Sequence, residues 1–435
     1  MENNLKRSLT PAMVWGLGVG YVISGNYFGW NLGLEKGGTL GLAIALVFII
    51  ILYITFTFSY TELACFIPKA GGAFDYANRA FGKEVGFVTG MAQNIEFICA
   101  PPAIAFAIGS YGNIFFPEIP VLIFSVIAYV IFVMLNISGV KVAATFELVI
   151  TIFAVAALIF FSGLTFPKLE WTHLEKNAWP HGYEGVFAAI PFAIWFFLGI
   201  EGVANLAEET INPKRTILIG FGSAITTLVL LCIITFVSSV GVAGWEAIVY
   251  KADGTASDSP LPLALEFVVD RSSFSYQLLL VVGLFGLIAS FHGLMLAAGR
   301  STYEFGRVGY APAFIGKVNA RFQTPANALL VNMGLGLIAL FSGKTGEIIT
   351  ISVFGALSLY IISMLSLLRL RKIETDLVRP FRVPMYPYFP IVALVIASFS
   401  FVAMAIYNLN LVVIYFLIIG VSYGIFKLQS RLVKS

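Results

Sequence analysis

The chain has 435 residues, 59% of them hydrophobic and only 11% charged, with a mean hydropathy of +0.92 and a net charge of +3. A soluble domain carries roughly 25% charged residues, so a water-soluble fold is excluded, and so small and scattered a charge excludes a nucleic-acid surface. Cys65, Cys99 and Cys232 fall inside apolar stretches without paired spacing, which leaves neither a disulfide framework nor a metal site, and no cofactor is assigned.

Met1 to Thr10, with Lys6 and Arg7 and no cleavage motif, reads as a cytoplasmic tail before the first span. A hydrocarbon core about 30 Å thick takes roughly 20 apolar residues per helix. Such stretches follow at 11 to 34, 39 to 66, 85 to 112, 120 to 137, 142 to 163, 183 to 207, 216 to 242, 274 to 304, 326 to 342, 347 to 368, 387 to 406 and 409 to 427. They predict an all-α polytopic membrane protein of twelve transmembrane helices, multi-pass in the plasma (inner) membrane. With the N-terminus inside, 20 of the 26 basic residues lie in cytoplasmic segments, and only Lys36, Lys168, Lys176, Lys251, Arg271 and Lys344 lie outside. That bias places both termini in the cytoplasm. Trp171, Trp179 and Trp245 are expected at the outer headgroup level, and 243 to 272 reads as the longest external connection, with a solvated stretch from Lys251 to Pro260.

Two spans carry polar groups and glycines at mid-depth: the first at Ser24-Gly25-Asn26 and the sixth at Gly199-Ile200-Glu201. Unwound backbone is tolerated at that depth only where it is buried in protein or lines a cavity. Breaks about 175 residues apart, in the first and sixth spans, suit two inverted five-helix repeats followed by two further helices. The bland alternative, glycines that merely permit close helix packing, leaves the mid-membrane Glu201 unexplained.

Ile23-Ser-Gly-Asn-Tyr-Phe28, Glu62-Leu-Ala-Cys-Phe-Ile-Pro-Lys-Ala-Gly-Gly-Ala-Phe-Asp-Tyr76 and the stretch from Trp195 to Arg215, which ends in Glu208-Glu-Thr-Ile-Asn-Pro-Lys-Arg215, resemble the amino acid-polyamine-organocation (APC) superfamily, and within it the ethanolamine permeases. The resemblance implies one transmembrane transporter domain over 1–435 with the LeuT-type fold. Its two repeats would be 11–163 and 183–368, with 387–427 as the additional helices. It further implies alternating access and a substrate site formed by the first, third, sixth, eighth and tenth spans. Amino acid members carry Gly-Ser/Ala-Gly at the first break, whose amides hold the substrate carboxylate. Here Ile23 replaces the first glycine and Asn26 follows Gly25, which fits an amino alcohol better. Some proton-coupled relatives place a lysine on the fifth span in the role of sodium; the matching position here is Ala154, so the coupling ion, proton or sodium, stays open.

Ionisable groups at membrane depth face the bundle interior or a wet cavity. Glu201 is expected as a gating or proton-responsive carboxylate, and Leu198, Gly199 and Glu201 as substrate-binding residues at the sixth-span break. Gln93 and Glu96, three apart, share one helix face, and Glu96 is expected to neutralise a cationic substrate inside a small box with the Tyr27 and Trp195 faces. His292 is expected to relay protons or bond substrate, although a lone histidine is more often a satisfied packing residue. Ser290 and Ser358 are weaker candidates. Glu62 and Glu147 are expected near the cytoplasmic ends, paired with Lys69, Arg79 or Lys141. G-x-G-x-G at 16 to 20 lacks the strand-turn-helix context of a dinucleotide site. The function expected is secondary uptake of ethanolamine or a similar small amine. The rivals are an amino acid held by the Ser24 and Gly25 amides, and a membrane-embedded enzyme or sensor, for which no catalytic constellation is visible.

Overall fold

The computed structural model describes residues 9–69, 71–138 and 143–432. Lys6, Arg7, Lys141 and Lys434 lie outside the described residues, as do the side chains of Glu208, Lys214 and Arg431. Among the described residues, ten helical segments are long and apolar enough to cross a membrane, and two shorter apolar helices bring the crossings to twelve. Among the described residues there is no β-strand, only two isolated bridges.

The first span opens with α1 (Pro11–Val22), capped by Thr10, whose Oγ1 accepts from the Met13 amide. It is interrupted at Ile23, resumes for one turn as α2 (Ser24–Tyr27), and is extended at Phe28. Its far end is fused to the second span in α3 (Asn31–Phe66), which folds back at Gly38 so that Leu42 lies against Gly33. The two spans expected at 11 to 34 and 39 to 66 therefore have no loop between them.

An amphipathic helix α4 (Ala73–Phe81) leads into α5 (Lys83–Phe115), α6 (Val121–Ser138) and α7 (Ala143–Thr165), the third to fifth spans. After the short α8 (Trp171–Glu175), the sixth span begins as α9 (Gly182–Trp195), unwinds over 196–199 and finishes as a 3-10 helix, Ile200–Glu209. Then follow α10 (Pro213–Gly241), α11 (Trp245–Val249), α12 (Pro260–Glu266), α13 (Phe274–Arg307), α14 (Ala326–Leu340), α15 (Thr345–Ile373), α16 (Tyr388–Tyr407) and α17 (Leu409–Leu432).

The sixth span is the most deeply enclosed. α9 packs on α3, α1 sits among α7, α10 and α13, and α5 runs between α13 and α15. The outer helices α6, α14, α16 and α17 present large exposed side chains such as Ile131, Ile338, Ile406 and Leu417, as lipid-facing surfaces do.

One face of the bundle is closed by ion pairs. Glu62 at the end of α3 receives a bidentate pair from Arg371 of α15 (2.7 and 2.6 Å) and a further bond from the Val383 amide (2.7 Å), with Arg379 at 3.4 Å. Arg79 bonds Glu374 rather than Glu62. Arg300 of α13 pairs with Glu209 (2.8 Å), and Leu9 bonds the chain at Glu209 and Ile211.

At the opposite face, the connection expected to be solvated is so only in part. Residues 251–256 are exposed, whereas Ser257, Ser259 and Pro260 are buried, and α11 and α12 pack on α3, α7, α10 and α13. Asn31 Nδ2 donates to the Ser257 carbonyl (2.7 Å), tying this loop to the start of α3. Trp171 is exposed and Trp179 half-buried, but Trp245 is buried, its Nε1 donating to the Asn177 carbonyl, so it anchors the loop rather than the headgroup layer.

Candidate substrate site at two helix breaks

The two breaks meet. Gly25 packs directly on the Trp195 carbonyl and the Phe196 Cα, where no side chain fits. Trp195 Nε1 donates to the Phe28 carbonyl (3.1 Å), and its ring stands edge-on to Phe28 at 5.5 Å. Local sequence explains the unwinding: Gly199 turns through the left-handed region (φ 96°) after Trp195-Phe-Phe-Leu198, and the chain tightens into a 3-10 helix.

Several backbone groups freed at the first break are already satisfied. The Ser24 amide donates to Ser290 Oγ (2.8 Å), and that hydroxyl donates to the Gly20 carbonyl (2.6 Å). The Asn26 amide donates to Ile23. The Asn26 side chain, fully buried, has no partner at either Oδ1 or Nδ2.

At the sixth-span break, Glu201 Oε2 accepts from the Tyr360 hydroxyl of α15 (2.8 Å), which lies 3.0 Å from the Tyr53 hydroxyl of α3. Glu96 of α5 stands beside Glu201, and the Gly199 amide lies near both carboxyl groups. Neither oxygen of Glu96 has a well-formed hydrogen bond, nor does Glu201 Oε1. Both acids are buried, at 0% and 1% exposure. Two adjacent carboxyl groups without a basic partner, in a low-dielectric interior, call for a proton or a bound cation between them. Unsatisfied buried acceptors cost roughly 1–3 kcal/mol each, more when charged, so this arrangement lowers the stability of the fold.

The expected aromatic box is not formed by Tyr27 and Trp195. The Tyr27 ring lies against Gly283 and Gly286 of α13, with its hydroxyl on the Ala154 carbonyl (2.8 Å), because those two glycines leave a slot for it. The rings beside the acids are Tyr360 and Tyr53, with Phe197 and Phe56 behind them at 5.0 and 4.2 Å. A tyrosine at mid-depth needs a partner for its hydroxyl, which was the one signal available for them. Gln93, one turn from Glu96, donates to Ser301 of α13 (3.0 Å) and is already partnered. Leu198 is buried in the break itself.

Three further expectations are corrected. His292 lies not among the substrate groups but against Glu147 (3.0 Å). Glu147, expected to pair with loop basics, is fully buried where α7 meets α1 and α13 and has His292 as its partner. Ser358 accepts from Tyr415 of α17 (2.6 Å), on the far side of α15 from the breaks.

A twelve-span bundle whose first and sixth spans unwind around buried, unpartnered polar groups defines a membrane transporter, and no cluster of potential metal ligands occurs among the described residues. The chain belongs to the amino acid permease family, whose sequence profile matches residues 10–423, and so to the APC superfamily of secondary transporters. It is 28% identical to an uncharacterised transporter of Rhizobium meliloti, over 92% of this chain and 87% of the relative. It is also similar to the methylthioribose transporter of Bacillus subtilis (25%, covering 90% and 87%) and to the branched-chain amino acid permease BcaP of the same organism (22%, covering 92% and 88%).

Proposed function

We propose that this transporter takes up ethanolamine or a similarly small amine across the plasma membrane, by alternating access between two inverted repeats, with both termini cytoplasmic. The observation that carries the reading is the set of unpartnered groups at the breaks. Glu96 and Glu201 Oε1 offer a counter-charge for an ammonium group, and the Asn26 side-chain carboxamide offers a hydrogen bond to a hydroxyl. The occupied amides favour the same choice, since a carboxylate would have to compete with Ser290 Oγ for Ser24 and with Ile23 for Asn26. The second reading, an amino acid substrate, is favoured by the name of the branched-chain amino acid permease among the relatives.

Counterflow in proteoliposomes separates the two. Unlabelled ethanolamine on the inside is expected to drive accumulation of labelled ethanolamine, and alanine or serine to compete weakly. Failure of that exchange, or stronger competition by the amino acids, overturns the amine assignment.

A further inference from the structure

The connection between α13 and α14 is tied down along its length. The Gly316 backbone lies directly against Gly306 near the end of α13, where no side chain fits. Thr324 Oγ1 donates to the Ile137 carbonyl of α6 (2.7 Å), and Asn327 Nδ2 of α14 donates to the Phe314 carbonyl (2.8 Å). Between these ties Asn319 Oδ1 accepts from the Arg321 and Phe322 amides (2.9 and 3.1 Å), and the Asn319 amide donates to the Thr324 carbonyl (2.9 Å). Such side-chain bonds to the local backbone fix the shape of a turn. The loop nevertheless leaves large groups in the open: Phe314, Val318 and Phe322 are 50%, 48% and 36% exposed, and Lys317 and Arg321 are exposed among them.

Charge and continuity say what covers this surface. Residues 305–346 contain no acidic residue, and among the described residues neither Lys317 nor Arg321 forms an ion pair. Arg321 instead holds its guanidinium 5.1 Å over the Phe322 ring. The loop also joins two helices whose exposed side chains face lipid, with Met134 and Leu135 near the end of α6 and Leu330 early in α14. An apolar surface therefore runs up to the loop and ends in cations, the order in which a bilayer passes from acyl chain to phosphate. A second exposed apolar stretch, Leu377, Val378 and Met385, lacks that order, because Glu374 and Asp376 precede it and Arg379 is held by Glu62.

We propose that Lys317 and Arg321, framed by Phe314, Val318 and Phe322, form a binding site for the headgroup of an anionic phospholipid. Arg321 meets the phosphate oxygens as a planar fork and Lys317 as a point charge, while the three apolar side chains lie beside the first acyl carbons. Because the backbone is already fixed, binding orders side chains only, which keeps its entropic cost low. A zwitterionic headgroup brings its own cation and gains less from the same pair. The bound lipid holds α6, α13 and α14 to the membrane as one unit, since the loop is bonded to all three.

The test needs no substrate. Ala320, exposed between the two cations, is replaced by cysteine (Ala320→Cys) in protein whose three native cysteines are serine, and carries a polarity-sensitive dye. Its emission is followed on the purified full chain in detergent micelles as dioleoyl phosphatidylglycerol or dioleoyl phosphatidylcholine is added. Half-saturation is expected at a mole fraction at least tenfold lower for phosphatidylglycerol. Lys317→Gln combined with Arg321→Gln is expected to erase that preference, and Lys317→Arg combined with Arg321→Lys to keep it, which separates charge from any change in folding. Equal response to the two lipids, or a preference that survives in the neutral pair, overturns the proposal. Saturation by glycerol 1-phosphate without lipid makes this a site for free anions and overturns the lipid assignment. A failed ethanolamine counterflow leaves all of these outcomes untouched.

Discussion

Glu96 and Glu201 differ from Glu62 and Glu147 in having no basic side chain against them. Glu96→Gln keeps the shape and removes the charge, so it is expected to weaken ethanolamine binding about ten- to a hundredfold, the range for hydrogen bonds to charged groups of roughly 1.5–3 kcal/mol. A ligand-induced thermal shift on purified protein checks this, and unchanged affinity removes Glu96 from the site. Tyr360→Phe strips the donor from Glu201 Oε2. Its cost, about 1–3 kcal/mol, is expected as a lower unfolding temperature without any substrate present. The acids and Asn26 were legible because polar groups stand out in an apolar span. Tyr53 and Tyr360 were not, because this chain has 18 tyrosines, and which of them faces an acid depends on how α3 and α15 turn toward the sixth span.

At the scale of the element, the 251–259 loop carries a titratable contact. Asp258 bonds Thr345 Oγ1 (3.4 Å) at the start of α15, and burial pushes its carboxyl up to about 6, against the opposing pull of Lys251 and Thr345. A carboxyl whose native value is raised favours the docked state when protonated. Docking therefore strengthens as pH falls through about 6 and weakens above it. Hydrogen exchange over 251–259 is expected to slow between pH 7 and pH 5, after correction for the intrinsic rate, and Asp258→Asn is expected to be protected equally at both. The same correction in wild type and variant, with no difference left, would remove the role of Asp258. Both breaks were visible from glycine and polar content in otherwise apolar spans. The lid helices α11 and α12 were not, since helices of five and seven residues are not stable alone and form only against α3 and α13.

In the whole molecule, the positions of all twelve crossings followed from hydropathy, because the bilayer sets a length that each must meet. Which crossings touch, such as α3 with α9 or α5 with α15, did not, because apolar surfaces do not encode their partners. The clamp around Glu62 joins three parts of the chain, α3, α15 and the segment before α16, so its loss is felt globally. Glu62→Gln leaves Arg371 and Arg379 without their counter-charge and is expected to destabilise by about 3 kcal/mol, the lower end for a broken buried pair because Arg371 is partly exposed. Thermal unfolding in detergent measures it, and a shift within error would mean the clamp contributes no stability.

Gly38 connects the far end of the first span to the second with no slack between them. Its dihedrals (φ 64°, ψ −172°) lie in a region that glycine alone occupies, so the joint behaves as a crank pin rather than as a tether. Any swing of 31–37 is geared directly to a rod about 40 Å long, and through Asn31 and Ser257 the 251–259 loop grips the same shaft. A binder that fixes that loop is expected to hold α3 as well, without approaching either break.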